Sequence, residues 1–313
     1  MSSNFALRGA RVVALMALAA CTSHDGGSIP LVSSKLPQAI FQAKAGAATV
    51  YVSDPVSNDV AIFHASGSNR NPIATITKGI AGPAGLAVDG EGDLFVANTT
   101  ANSVTEYAPN GTTPEATYSQ SVLGPVDVAV DNAGTVYVAN FYSFAASVVE
   151  FSGGSQTPSV TIRNPCSCYP TGLALDAKDD LYVAYDDYYE QTLVYEYSPG
   201  SITGASRNLQ FGQTRWEAAG LAFDKSANLL VADVTLPGVQ IFPAGKQNPS
   251  QILGKHGSPR FVALDSTEKN LFVTDTAANA VDEYAYPSGR KTSVITNGLK
   301  SVYGVAVSPA APL

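Results

Sequence analysis

Charge is scarce in this chain: Asp, Glu, Lys and Arg make up 14% of its 313 residues, and acids outnumber bases by 26 to 18. The resulting net charge of −8 excludes nucleic acid as a partner, because holding phosphates needs a basic footprint. It accords with cations or neutral glycans and selects neither. There are three histidines, His24, His64 and His256, and no local motif supports a Ser-His-Asp arrangement. Three cysteines are too few for a disulfide framework, and Cys166 and Cys168 have no neighbouring His to make a metal motif. The apolar run Val12–Ala20 is nine residues, well short of the roughly 20 that a membrane-spanning helix needs. Strong helix formers are sparse, whereas Val, Thr, Tyr, Gly and Asn are plentiful. With 45% hydrophobic residues, that composition points to a globular all-β protein.

What the chain does have is repetition. A strand of the form Val-x-Glu/Ile-Tyr/Phe recurs six times, at Val60–Phe63, Val104–Tyr107, Val148–Phe151, Val194–Tyr197, Val239–Phe242 and Val281–Tyr284. Before it come a strand such as Gly85-Leu86-Ala87-Val88-Asp89 and a second such as Val96-Ala97-Asn98. A 40–50-residue period in strand-only text predicts small sheets arranged radially. Ala occupies the middle of the first strand in all six copies, as expected where strands converge on an axis. Asp89, Asp131, Asp176, Asp224 and Asp265 close that strand and read as turn residues. Asn58, Asn102 and Asn279 read the same way at the following turn. The N-terminal copy lacks a first strand and the C-terminal copy has only that strand. Residues 48–313 are therefore predicted to form a six-bladed β-propeller of four-stranded antiparallel blades. The C-terminal strand would close the ring by pairing with the N-terminal blade, which removes an open edge.

Gly-Leu-Ala-Val-Asp89, Leu94-Phe95-Val96-Ala97-Asn98 and Asn102-Ser103-Val104 resemble NHL-type repeats, over about residues 49–307. That resemblance implies a propeller and no particular activity. At the other end, Arg8 and Arg11, the apolar run and Leu18-Ala19-Ala20-Cys21 resemble the signal and lipobox of bacterial lipoproteins. The resemblance implies a signal peptide over 1–20, a lipidated Cys21 and a flexible tether over 21–47. It also implies a cell-envelope location, outer membrane or periplasm-facing, with Thr22 after the cysteine leaning towards the outer membrane.

In a propeller the loops between second and third strands, and between fourth and next first strands, open on one rim. Here they are the long, varied ones, and so the expected binding face. Residues that break the repeat cluster in the third to fifth copies: Phe141, Tyr142 and Phe144; Tyr169; Tyr185, Asp186, Asp187, Tyr188 and Tyr189; and Trp216. Aromatic faces beside carboxylates suit a sugar ring or a protein anchored by Tyr and Trp. The sequence thus predicts a monomeric, non-catalytic binding module for a glycan, peptide or protein, with no cofactor. Cys166 and Cys168, in an oxidising compartment, are close enough to pair, and read either as a local staple or as two unpaired thiols rather than as a redox pair.

The alternative is a hydrolase or lactonase. The repeats also resemble six-bladed gluconolactonases and regucalcin, which implies a divalent cation in the channel. Under it Asp127, alone in replacing a small or apolar residue at its slot, would bind the cation with Asn140 or Asn98, and His256 would act as acid–base group. No matching set of Glu, Asn and Asp converges by pattern. Streptogramin lyases resemble the repeats as well, with a different blade number.

Overall fold

A computed structural model describes residues 48–142, 146–166, 168–187, 192–207, 209, 218–234, 238–254 and 257–309. Among these there are 24 strands and no helix. They form six four-stranded antiparallel sheets arranged as propeller blades. Blade 1 joins the two ends of the chain: Val305–Ser308 is its inner strand and pairs with Thr49–Asp54, which is followed by Asp59–His64 and Ala74–Ile76. The other inner strands are Pro83–Val88, Pro125–Val130, Cys168–Leu175, Ala218–Phe223 and Pro259–Leu264, for blades 2 to 6.

Period-2 alternation explains how the blades stack. Each of six core clusters draws residues from two consecutive blades, so the hydrophobic core consists of six seams. In blade 2, Leu86 packs into the seam with blade 1 while Ala87 packs against the seam with blade 3. The small-residue face therefore meets the next blade. The reason is steric. A Cβ on Gly172 would lie 1.7 Å from the Ala219 carbonyl oxygen of blade 5, and one on Gly220 would lie 2.6 Å from the Phe261 Cα of blade 6. Gly85 and Gly304 face the same obstruction, at Asp127 and at the Ala84 carbonyl.

The repeated acids are turn residues, as the sequence implies. Asp89, Asp131, Asp176 and Asp224 each accept amide hydrogens from two and four residues on. Asn58, Asn102 and Asn279 adopt left-handed backbone, with φ of 57°, 51° and 50°, where Asn is tolerated better than most residues. Two of them do more than shape a turn. Asn58 accepts from the Gly82 amide of blade 2, and Asn102 from the Gly124 amide of blade 3. Ring closure has its own clamp: Arg70 of blade 1 pairs with Glu283 of blade 6 at 3.1 Å, and Asn69 accepts from Thr296.

The inner-strand glycines are thus required by the close approach of neighbouring backbones. Gly172→Ala should destabilise the protein by at least about 2 kcal/mol, since overpacking of this kind forces backbone to move. Urea unfolding would measure it. An equally stable variant would mean that the inner strands can separate freely.

Candidate functional site

Among the described residues seven large hydrophobics are exposed, and four of them, Val56, Leu123, Phe141 and Tyr142, stand on loops of the variable rim. Leu123, Phe141 and Tyr142 are 42%, 41% and 54% exposed; all three belong to blade 3 loops on that rim, and Phe141 reaches across to blade 4. Phe141 and Tyr142 follow the second strand of blade 3, Val136–Asn140, while Tyr169 belongs to the inner strand of blade 4. The Phe141 and Tyr169 rings lie 5.2 Å apart at 34°. Tyr142 covers Gly124: a Cβ there would sit 2.8 Å from its ring.

Hydrogen bonds fix the backbone beneath this patch. Asn140 accepts from the Leu123 amide and donates to the Ser121 carbonyl. Asn102 holds the Gly124 amide from the preceding blade, and the Gly124 carbonyl accepts from the Phe141 amide. Leu123 is a site residue that the outlier pattern does not single out. Its signal is a loop alignment: Leu123 stands where the blade 2 loop has Ala81, which is bound equivalently by Asn98.

Across the seam, Tyr169 is the register partner of Asp186, and Cys168 of Asp187. A carboxylate-bearing residue therefore stands opposite Tyr169 on the sheet. Cys166 and Cys168 form a disulfide, and the Asn164 amide donates to the Cys168 carbonyl, so the approach to Tyr169 is stapled. Phe144, Tyr188, Tyr189, Trp216 and His256 lie outside the described residues, as do Cys21 and the whole of 1–47.

One expectation needs correction. Tyr185 is not a rim residue: it is fully buried, its hydroxyl is 3.0 Å from that of Tyr197, and Tyr195 meets it edge-on at 5.8 Å. Burial pushes its hydroxyl above the ordinary tyrosine range. An aromatic pair there replaces the Asp- or Asn-to-loop bonds of other blades. Asn98 and Asn140, the residues grouped with Asp127 under the cation alternative, are both engaged in bonds to loop and strand. Asn98 accepts from the Ala81 amide and donates to Val96 and Thr105, and Asn140 is engaged as above.

Asp127 itself is 3% exposed and bonds backbone rather than solvent. One carboxyl oxygen accepts from its neighbour Val128 at 2.9 Å, and the other from Leu173 of blade 4 at 2.8 Å. It bridges two inner strands. Burial pushes its carboxyl up to about 8, against the downward pull of the Leu173 and Val128 amides. The axial channel, ≈ 160 Å³, is lined by Leu, Val and Ala side chains, among them Ala87, Val128, Leu173 and Ala306. Among the described residues no three His, Cys, Asp or Glu side chains are gathered as a metal ion requires.

Several solved propellers resemble this chain. A chain of the nidogen/laminin complex matches with a TM-score of 0.68 at 16% identity, over 83% of this chain and 98% of that one. A catalytically inactive virginiamycin B lyase from Staphylococcus aureus, solved with quinupristin, gives 0.57 at 10% identity over 79% and 80%. Kuenenia stuttgartiensis hydrazine synthase gives 0.58 at 14% identity over 82% and 85%. At these identities the likeness establishes the propeller class and nothing finer. No protein-family model and no curated protein matches the chain.

Asp127 makes a testable contribution to stability. Its folded-state pKa is raised, so the unfolded chain releases the proton first and stability falls as pH rises towards and past 8. Glu150, raised by burial to about 7, acts in the same direction. The melting temperature should therefore decline between about pH 5 and 9, and Asp127→Asn should flatten that decline. A variant with the full wild-type slope would show that Asp127 ionises freely in the fold.

Proposed function

We propose that this propeller is a non-catalytic binding module whose blade 3/4 rim receives a protein or peptide partner. The observation that carries the reading is the exposure of Phe141, paired with Tyr169, and of its neighbour Tyr142 on a hydrogen-bonded backbone. Aromatic anchors of this kind supply most of the energy of protein interfaces, and a patch already ordered costs little to immobilise. The nidogen/laminin chain is a propeller in a protein complex, which supports a protein occupant; a glycan stacked on the same rings is the competing one.

A photo-crosslinking residue in place of Tyr142 should give discrete protein adducts in envelope preparations, whereas one in place of exposed Thr117 on an outer strand should not. Phe141→Ala should reduce the adducts on the order of tenfold, the loss expected of an anchor residue. Equal labelling from both positions would defeat the proposal. Binding of the wild type to immobilised glycans, lost in Phe141→Ala, would reassign the patch to sugar.

The second part of the proposal is location. Arg8, Arg11 and the Leu-Ala-Ala-Cys21 sequence support an exported lipoprotein held at the outer membrane or facing the periplasm. Cells fed an alkyne-tagged fatty acid should label the wild type and leave Cys21→Ala unlabelled at its precursor mass. Equal labelling of the variant would remove Cys21 as the anchor.

The metal-dependent hydrolase reading finds less support. The channel side chains are aliphatic, and Asp127 is engaged by two backbone amides.

A further inference from the structure

On the opposite side of the ring, one residue breaks the repeat at a slot where no other copy is charged. Immediately before the glycine position of the inner strands, blades 1 to 6 carry Tyr303, Ala84, Val126, Thr171, Ala219 and Arg260. This slot lies at the head of each inner strand, on the rim of the variable loops. Arg260 leans across the seam from blade 6 to blade 1. Its guanidinium carbon lies 4.1 Å from the Tyr303 ring centroid, and its Nη2 donates to the Tyr303 hydroxyl at 2.6 Å. Phe261 supports that ring from its own strand, with centroids 5.6 Å apart.

The group is held without an acid. The other half-buried cations among the described residues are explained by ion pairs: Arg70 with Glu283 at 3.1 Å, and Arg207 with Glu196 at 2.8 Å. Among the described residues no carboxylate pairs with Arg260. Its Nε is enclosed and meets no acceptor, as is also true of Arg70 and Arg207, so what sets Arg260 apart is the missing carboxylate. An arginine keeps its charge in such a setting, and an aromatic face beneath it fixes the plane of its donors. A planar, fixed, unneutralised guanidinium is the half of a bidentate contact that a carboxylate completes. In an acidic protein with a net charge of −8, the absence of a partner at this one place is not a general excess of base.

We propose that Arg260 and Tyr303 form a carboxylate-binding site at the head of the blade 6/blade 1 seam. Arg260 supplies the charged fork, while Tyr303 positions it and offers its hydroxyl at the edge of the site. The carboxylate belongs either to a free dicarboxylic acid or to the C-terminus of a peptide. The site is separate from the aromatic patch and does not depend on it.

The test is a titration of the full chain with succinate, and in parallel with a short apolar peptide as free acid and as C-terminal amide. Ionic strength is held constant with chloride, and melting temperature and tyrosine fluorescence are followed. Saturable binding of succinate or of the free-acid peptide is expected, with none of the amide; which of the two binds more tightly identifies the source. Arg260→Lys keeps the charge but loses the fork, and should weaken binding on the order of tenfold, the equivalent of about 1.4 kcal/mol. Arg260→Gln should abolish it. Phe141→Ala should titrate like the wild type, which separates this site from the blade 3/4 patch. No saturable response to either carboxylate, tighter binding of inorganic phosphate than of both, or unchanged affinity in a folded Arg260→Lys variant would overturn the proposal.

Discussion

Backbone meets backbone around the axis of this propeller, and that contact sets the terms for everything outside it. Gly85, Gly172, Gly220 and Gly304 lie so near the following inner strand that no Cβ fits without displacing it. The strands can then approach closely only if one face of each carries Gly and Ala. The opposite face must supply the volume, which is why Leu or Val alternates with them and fills the seam behind. The rule is local, yet applied six times it closes a ring. Closure in turn lets Val305–Ser308 pair with Thr49–Asp54 and leaves no open end to the array.

Two seams relax the rule. Blade 3 has Asp127 and blade 6 has Phe261 where the other four have glycine. Each substitution brings its own compensation. Asp127 replaces close contact with a hydrogen bond to Leu173 in the next blade, while Phe261 replaces it with a ring packed on Tyr303. The rim above each of these seams carries an unusual surface: Phe141 on Tyr169 in one case, Arg260 over Tyr303 in the other. A side chain at the head of the seam displaces the plain backbone packing of the remaining four, and gives the rim something to recognise with.

The architecture was legible because its causes are periodic. A turn aspartate does the same work in every blade, so Asp89, Asp131, Asp176 and Asp224 identify one another. Departures from the period were visible as departures, but their consequences depend on which blade lies next door. Tyr185 looked like a rim residue because it takes the place of Asp54 or Asn98; its neighbour Tyr197 turns it into core. Asn58 and Asn102 read as turn residues, and their bonds to the next blade follow from ring geometry that no single repeat contains. Leu123 and Arg260 were each discoverable by aligning loops and strand heads across copies. Their exposure and their partners were not, because both are set by contacts between blades.

Blades 3 and 6 stand opposite one another in a ring of six, and so do the two relaxed seams. A ligand small enough to sit on one cannot reach the other without crossing the mouth of the channel. Nothing in the described residues links them through a shared side chain or hydrogen bond, and distant sites without shared partners contribute independently. Each surface also rests on strands held by the glycine contacts of its neighbours. The ring therefore favours additive recognition: an aromatic face and a charged fork that can be engaged separately, or joined by a partner long enough to span the axis. In the second case the fixed separation of the two surfaces selects the partner's length, and the binding energy of the second contact is gained without a further loss of translational freedom.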